Sequence, residues 1–223
     1  MNLAIYDMDR TITRAPTWTP FLIHAARRRA PWRLALLPVA IGGMLAYAGK
    51  LIDRGTLKQF THRLMIGGSL SPAERMQLAD AFADAVIATG IFTEARTRIR
   101  ADHQAGYRLV LATASYRFYA EAIAERLGFD AVVATESHFA ESGDLLPRIA
   151  GENCYGIAKL RMVESWMAQG GIARGDAHIR FYSDHVSDAP VLEWADEAFA
   201  VNAHGPLRRL ARERGWPCLD WEH

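Results

Sequence analysis

Two aspartates, Asp7 and Asp9, follow directly on the apolar run Leu3-Ala4-Ile5-Tyr6, and nothing else in the chain restricts its fold as tightly. The run reads as a buried strand. Carboxylates two positions apart at its end reach one small volume if the chain turns there. Carboxylates that close repel, so the pair is unfavourable unless a cation or a shared proton compensates. An Asp at a strand end is also a turn former or a helix cap, so the pair alone decides little. Its recurrence decides more. Tyr107-Arg108-Leu109-Val110-Leu111-Ala112 ends in Thr113-Ala114-Ser115, and Ile179-Arg180-Phe181-Tyr182-Ser183 ends in Asp184, with Asp188 four residues on. Short runs of this composition, each followed by helix-like sequence, read as buried parallel strands. Ligands of a parallel α/β sheet sit outside the carboxyl ends of its strands. The pattern therefore predicts an α/β fold that delivers Asp7, Asp9, Thr113, Ser115 and Asp184 to one sheet edge.

The remaining sequence divides into two compositions. Residues 1–13 and 91–223 carry the strand-helix alternation of an α/β core, and residues 14–90 read as a helical insertion after the first strand. Breaks in the insertion fall near Pro31, Pro38, Gly67-Gly68 and Ser71-Pro72. Ser71-Pro72-Ala73-Glu74 is a helix start, with Ser at the cap and Glu three residues on. The helix it opens predicts an apolar face of Met76, Leu78, Ala79, Phe82 and Val86. In the core, helices are predicted over 93–103, over 116–127 (closed by Gly128) and over 159–169. Further strands are predicted at 131–135, 198–202 and 217–219. A net charge of +1 gives no electrostatic case for nucleic-acid binding. Cys154 and Cys218 form neither a metal-ligand spacing nor a disulfide framework, as expected of a cytoplasmic protein. The first apolar run is taken as a strand and not as a leader.

One segment of the insertion stands apart. Arg27-Arg28-Arg29 and Arg33 precede an uncharged stretch from Leu34 to Gly49, which Lys50 ends. Sixteen residues interrupted by Pro38 and Gly42-Gly43 fall short of a bilayer span. Two readings follow: a buried helical hairpin or dimer contact within the insertion, or a basic-flanked helix over residues 27–50 lying in a membrane interface.

Asp7-Met8-Asp9-Arg10-Thr11, Thr113, Lys159 and Asp184-His185-Val186-Ser187-Asp188 resemble, in order and spacing, the four motifs of the haloacid dehalogenase superfamily. The resemblance extends over nearly the whole chain. It implies a three-layer Rossmann-like core with a helical cap, as in the phosphoserine phosphatase-like branch. It further implies a Mg²⁺-dependent phosphatase of small phosphomonoesters with an aspartyl-phosphate intermediate. On that resemblance Asp7 is the nucleophile and Asp9 the general acid and base. Asp7, the Asp9 backbone carbonyl and Asp184 hold Mg²⁺, while Thr113, the Ala114 amide and Lys159 bind the phosphoryl group. Thr11 and Asp188 support these groups, and Arg63 is the cap's candidate for a substrate anion.

The chain departs from the family pattern in places. Arg10 stands where a small residue is usual, and His185 where Ser is usual. Arg14-Ala15-Pro16-Thr17-Trp18-Thr19-Pro20 holds no acid to meet a phosphoserine ammonium. The apolar, basic-flanked cap is also similar to that of phosphatidylglycerophosphatase C, which implies a phospholipid head-group phosphate as the alternative substrate. A phosphotransferase would use the same chemistry with an acceptor other than water.

Overall fold

The computed structural model describes residues 1–221. Its sheet contains β1 (Asn2–Tyr6), β2 (Arg108–Tyr116), β3 (Ala131–Phe139), β4 (Leu145–Ala150), β5 (His178–Ser183), β6 (Glu197–Val201) and β7 (Cys218–Leu219), in the spatial order β4-β3-β2-β1-β5-β6-β7. All pairings are parallel except β3 with β4, which is antiparallel. The expectation of an all-parallel sheet is corrected at that edge. The run Leu145-Leu146-Pro147-Arg148-Ile149-Ala150 carries a proline, which argues against a central strand but is tolerated at an edge.

Alternation along the strands explains the layering. Leu3, Ile5, Val110 and Ala112 point to one side, where they pack with Val163 and Met167 of α7 (Ile157–Gln169), Val191 and Leu192 of α8 (Ala189–Trp194) and Leu207 of α9 (Gly205–Arg214). Ala4, Tyr6, Leu109 and Leu111 point to the other, against Ala95 and Ile99 of α5 (Thr93–Gln104) and Ile123 of α6 (Arg117–Leu127). A sheet buried on both faces gives the three-layer, Rossmann-like α/β architecture. α6 stops where Gly128 takes φ +78°, a left-handed conformation open to glycine.

Between β1 and α5 lie α1 (Trp18–Arg29), a 3-10 segment (Pro31–Leu36), α2 (Leu37–Ala48), α3 (Arg54–Met65) and α4 (Pro72–Thr89). Aromatic contacts fix this insertion to the core: Phe21 stacks on Tyr119 at 4.6 Å between ring centroids, and Trp18 meets Tyr116 edge-on at 5.1 Å. α4 begins with the Ser71–Glu74 capping box, and Leu78, Ala79, Phe82 and Ala83 form its buried stripe. Met76 does not belong to that stripe, being 65% exposed, because it lies roughly 200° around the helix from Leu78.

The buried-hairpin reading of residues 34–49 is overturned. Within α2 only Ala40 is buried, while Val39, Ile41 and Leu45 are half or more exposed. α2 meets the rest of the insertion where Leu37 packs against the core and where the Gly43 backbone comes close to the Phe60 and Leu57 side chains of α3.

Candidate active site

The register of the sheet assembles the site. Tyr6 of β1 pairs with Leu111 of β2 and with Tyr182 of β5, so Asp7, Thr113 and Asp184, one or two residues further along the three strands, come to one edge. β1 lies where the chain reverses its direction of progress across the sheet, which is where α/β folds open a crevice. There Asp7, Asp9, Arg10, Thr113, Ala114, Lys159, Asp184 and Asp188 line a cavity of ≈ 190 Å³, together with Arg54, Tyr155 and His185.

Asp7 leaves β1 with its backbone N–H still bonded to the Tyr182 carbonyl at 2.9 Å, which holds it at the sheet edge. The chain then turns tightly. The amides of Ile12 and Thr13 both bond the Met8 carbonyl at 2.9 and 3.0 Å, and Arg10 adopts φ +60°. A non-glycine residue in the left-handed region is strained by about 1 kcal/mol. The Asn202 side-chain amide bonds the Arg10 carbonyl at 3.2 Å and helps hold it there.

Lys159, 2% exposed, carries its ammonium 2.8 Å from Asp7 Oδ1 and 2.6 Å from Asp188 Oδ2. Burial opposes its charge, but the Asp188 and Asp7 carboxylates outweigh that and hold it protonated. Ser183 donates to Asp188 Oδ2 at 2.7 Å. The Thr11 hydroxyl accepts the Asp184 N–H at 3.0 Å and lies 3.3 Å from Asp7 Oδ2. Burial, reinforced by Asp188 and Asp184 against the pull of Lys159, pushes the Asp7 carboxyl up to about 7. Burial and Asp188 push Asp184 up to about 6. Three clustered acids thus face one ammonium.

That imbalance is the local test of a metal. Among the described residues no three His, Cys, Asp or Glu side chains form a ready cluster for an ion. The Asp9 side chain is turned aside, accepting from the Thr17 amide and hydroxyl at 2.8 and 2.7 Å and from Ser115 at 3.2 Å. Two carboxylates, Asp7 and Asp184, give the cavity an all-oxygen, negatively charged set. That set fits Mg²⁺, which keeps several waters.

β2 contributes through an irregularity. Its pairing with β3 jumps from Thr113↔Ala134 to Tyr116↔Thr135, leaving Ala114 and Ser115 outside the register. A bulge of this kind re-aims backbone and side chains beside a site. The Ala114 carbonyl is taken by Thr135 at 2.8 Å and by the Lys58 ammonium.

Sequence reasoning missed the groups that α3 supplies. Arg54 and Lys58, four residues apart, share a helix face, and a helix opened by the Asp53 cap was the available signal. Arg54 stacks over Tyr155 at 4.3 Å. Lys58 also reaches Asn153 at 3.2 Å, and burial together with Arg54 brings its ammonium down to about 7. Arg63 does not join them. Five residues beyond Lys58 it faces another way, into a separate groove with Phe60, Leu146 and Arg148. A second cavity of ≈ 290 Å³ opens beside Asp9, walled by Trp18, Met44, Tyr47 and Leu57 with Arg54 and Lys58. A larger groove, ≈ 670 Å³ between α4, α6 and the β3–β4 edge, contains none of the clustered acids around Lys159.

A strand-edge aspartate paired with a buried lysine beneath a helical insertion defines a class of α/β hydrolase, and the comparisons agree. The family model described as haloacid dehalogenase-like hydrolase matches residues 4–193. The chain belongs to that family, and within it is a phosphatase. It is 32% identical to phosphoserine phosphatase SerB1 of Mycobacterium tuberculosis, over 98% of this chain and 70% of that one. It is 23% identical to the histidinol-phosphatase of Neisseria meningitidis, over 99% of both. A protein of unknown function from Bordetella pertussis superposes with a TM-score of 0.89 at 28% identity, covering 98% of each chain. A phosphoserine phosphatase solved as its phospho-aspartyl intermediate analogue shares the fold, with a TM-score of 0.62 at 16% identity over 97% of this chain and 92% of that one.

Proposed function

We propose that this protein is a Mg²⁺-dependent phosphomonoester hydrolase that works through a phosphorylated Asp7. The observation that carries the reading is the Asp7 carboxylate at the sheet edge, 2.8 Å from the Lys159 ammonium and in one cavity with Thr113, Asp9 and Asp184. Asp7 attacks phosphorus, a P–O bond to the carboxylate forms, and the ester P–O bond breaks. Asp9 gives its proton to the departing alkoxide. It then takes a proton from the water that attacks the aspartyl-phosphate, releasing phosphate and restoring Asp7. Thr113 and the Ala114 amide orient the phosphoryl oxygens, and Lys159 offsets their charge. Asp7, the Asp9 carbonyl and Asp184 would hold Mg²⁺, which supplies further charge neutralisation when bound. Residues 14–90 act as a cap that admits substrate and excludes bulk water.

The first substrate class is a small phosphorylated metabolite, supported by relatives named for phosphoserine and for histidinol phosphate. The cationic Arg10 and Arg54 around the cavities suit an anionic substrate better than the ammonium of phosphoserine. A phospholipid head-group phosphate is the second reading, favoured by the apolar Trp18, Met44, Tyr47 and Leu57 beside Asp9.

The test is hydrolysis of a panel of amino-acid, sugar, nucleotide and lipid phosphates by the purified protein. Phosphate release should stop with chelator, return with Mg²⁺ and be abolished in Asp7→Asn. Full turnover by Asp7→Asn would exclude the nucleophile. Transfer to added alcohols in preference to water would mark a phosphotransferase.

A further inference from the structure

α2, the 3-10 segment before it and Leu51 just behind it leave several large apolar side chains in solvent. Trp32 is 64% exposed, Ile41 54%, Leu45 68% and Leu51 81%. Pro38, Ile41, Leu45 and Ala48 recur at three- and four-residue steps and share one side of α2. A patch of this kind on a soluble chain marks an interaction surface.

The charge around it says what kind. Between residues 14 and 70 the sequence has nine Lys and Arg and a single acid, Asp53, although the whole chain carries only +1. Some of these cations are internal: Arg29 pairs with Glu74, and Arg33 bonds the Leu64 carbonyl. Arg27 and Arg28 before the apolar stretch and Lys50 behind it are exposed, and none of the three has an ion-pair partner among the described residues. A second copy seated on this face by a two-fold axis would bring two cationic surroundings together. A nucleic acid would leave Trp32, Ile41, Leu45 and Leu51 without an apolar partner. An anionic bilayer satisfies both features, taking apolar side chains below its headgroups and cationic ones at its charged surface. The continuous helical stretch Pro31–Ala48 is long and apolar enough to cross a membrane, but within the fold Arg33 bonds the Leu64 carbonyl and α2 packs on α3, so the folded protein offers this stretch as a surface helix that lies on a bilayer.

We propose that the exposed face of α2, flanked by Arg27, Arg28 and Lys50, docks this protein on anionic lipid bilayers. The position of α2 gives docking a consequence for the site. Met44 and Tyr47, on the same helix, wall the cavity that leads to Asp9, so a docked molecule opens that cavity close to the lipid–water boundary.

The experiment is co-sedimentation of the full chain with phosphatidylcholine vesicles, with and without phosphatidylglycerol, at low and high salt. Binding should appear with phosphatidylglycerol and weaken with salt. Arg27→Glu and Lys50→Glu should each weaken it about fivefold, and Leu45→Asp and Ile41→Asp on the order of tenfold. All four side chains are exposed, so far-UV circular dichroism and the melting temperature should stay as in the wild type, as should hydrolysis of a water-soluble phosphomonoester. Failure to bind phosphatidylglycerol vesicles overturns the proposal, as does equal binding by Leu45→Asp. Gel filtration that turns a dimer into a monomer on Leu45→Asp, with vesicle binding unchanged, also overturns it and assigns the face to a second copy. Binding is measured without turnover, so it stands or falls independently of the hydrolase reading.

Discussion

The Thr11 hydroxyl accepts the backbone N–H of Asp184 at 3.0 Å, joining positions 173 residues apart. Thr11 is fully buried, and its oxygen also lies 3.3 Å from Asp7 Oδ2 and 3.5 Å from Asp184 Oδ1. One hydroxyl therefore sets the spacing of the two acids that would share Mg²⁺.

Thr11→Val keeps the volume and removes the acceptor. The Asp184 N–H then loses its partner, a loss of about 1–3 kcal/mol. Because Asp184 is no longer held against Asp7, the Mg²⁺ concentration for half-maximal activity should rise about 10–100-fold. Metal titration of phosphate release, set beside a urea melt, measures both. An unchanged metal dependence with the full stability loss would reduce Thr11 to a structural part.

Lys159→Met tests the charge balance of the site. Breaking a buried ion pair by removing one partner destabilises by about 3–5 kcal/mol. Here the loss should fall towards the lower end near neutral pH, since Asp7, already pushed up to about 7, can take a proton once the ammonium is gone. Turnover should fall on the order of 10²–10³-fold through lost stabilisation of the phosphoryl charge. Denaturant unfolding and kcat measured on the same preparation separate the two effects.

The site was more legible than what surrounds it. Asp7, Thr113 and Asp184 follow apolar runs whose strands pair in register, so strand composition alone brought them to one edge. β4 was hidden by Pro147, which an edge strand tolerates. The exposure of α2 was unreadable because an apolar stretch looks the same whether it is covered or bare, and only the fold leaves Ile41 and Leu45 in solvent. Arg54 and Lys58 were missed because helix periodicity says which residues share a face without saying what that face meets. Arg63 was misplaced for the same reason.

The Ser71–Glu74 capping box satisfies the start of α4 in both directions. Glu74 accepts from the Ser71 N–H at 3.0 Å, and Ser71 Oγ accepts from the Glu74 N–H at 3.4 Å. Ser71→Ala should lower stability by about 1 kcal/mol, a fall of roughly 2–4 °C in Tm for a chain of this size. Phosphatase kinetics should not change, because α4 contributes nothing to the cavity around Asp7. Calorimetry and a kinetic assay check the pair, and altered kcat would mean that α4 transmits its packing to the site.

His62 makes stability depend on pH. It is fully buried against Trp18 and Tyr116, and neither ring nitrogen has a hydrogen-bond partner. Burial, then the Lys58 and Arg29 charges, brings its pKa down from 6.5 to about 3. The unfolded chain therefore takes up a proton below pH 6.5 that the folded protein refuses until about pH 3. The stability held by neutral His62 is complete above pH 6.5 and drains away as pH falls through that window. At pH 5 the loss should be about 2 kcal/mol, from 1.36 kcal/mol per pH unit below 6.5. His62→Phe keeps the aromatic contacts and removes the titration. Urea unfolding of both proteins between pH 7 and pH 5 should show the variant gaining on the wild type by that amount. Parallel curves would mean that His62 finds a proton partner in the folded state, or that the unfolded chain already shields it.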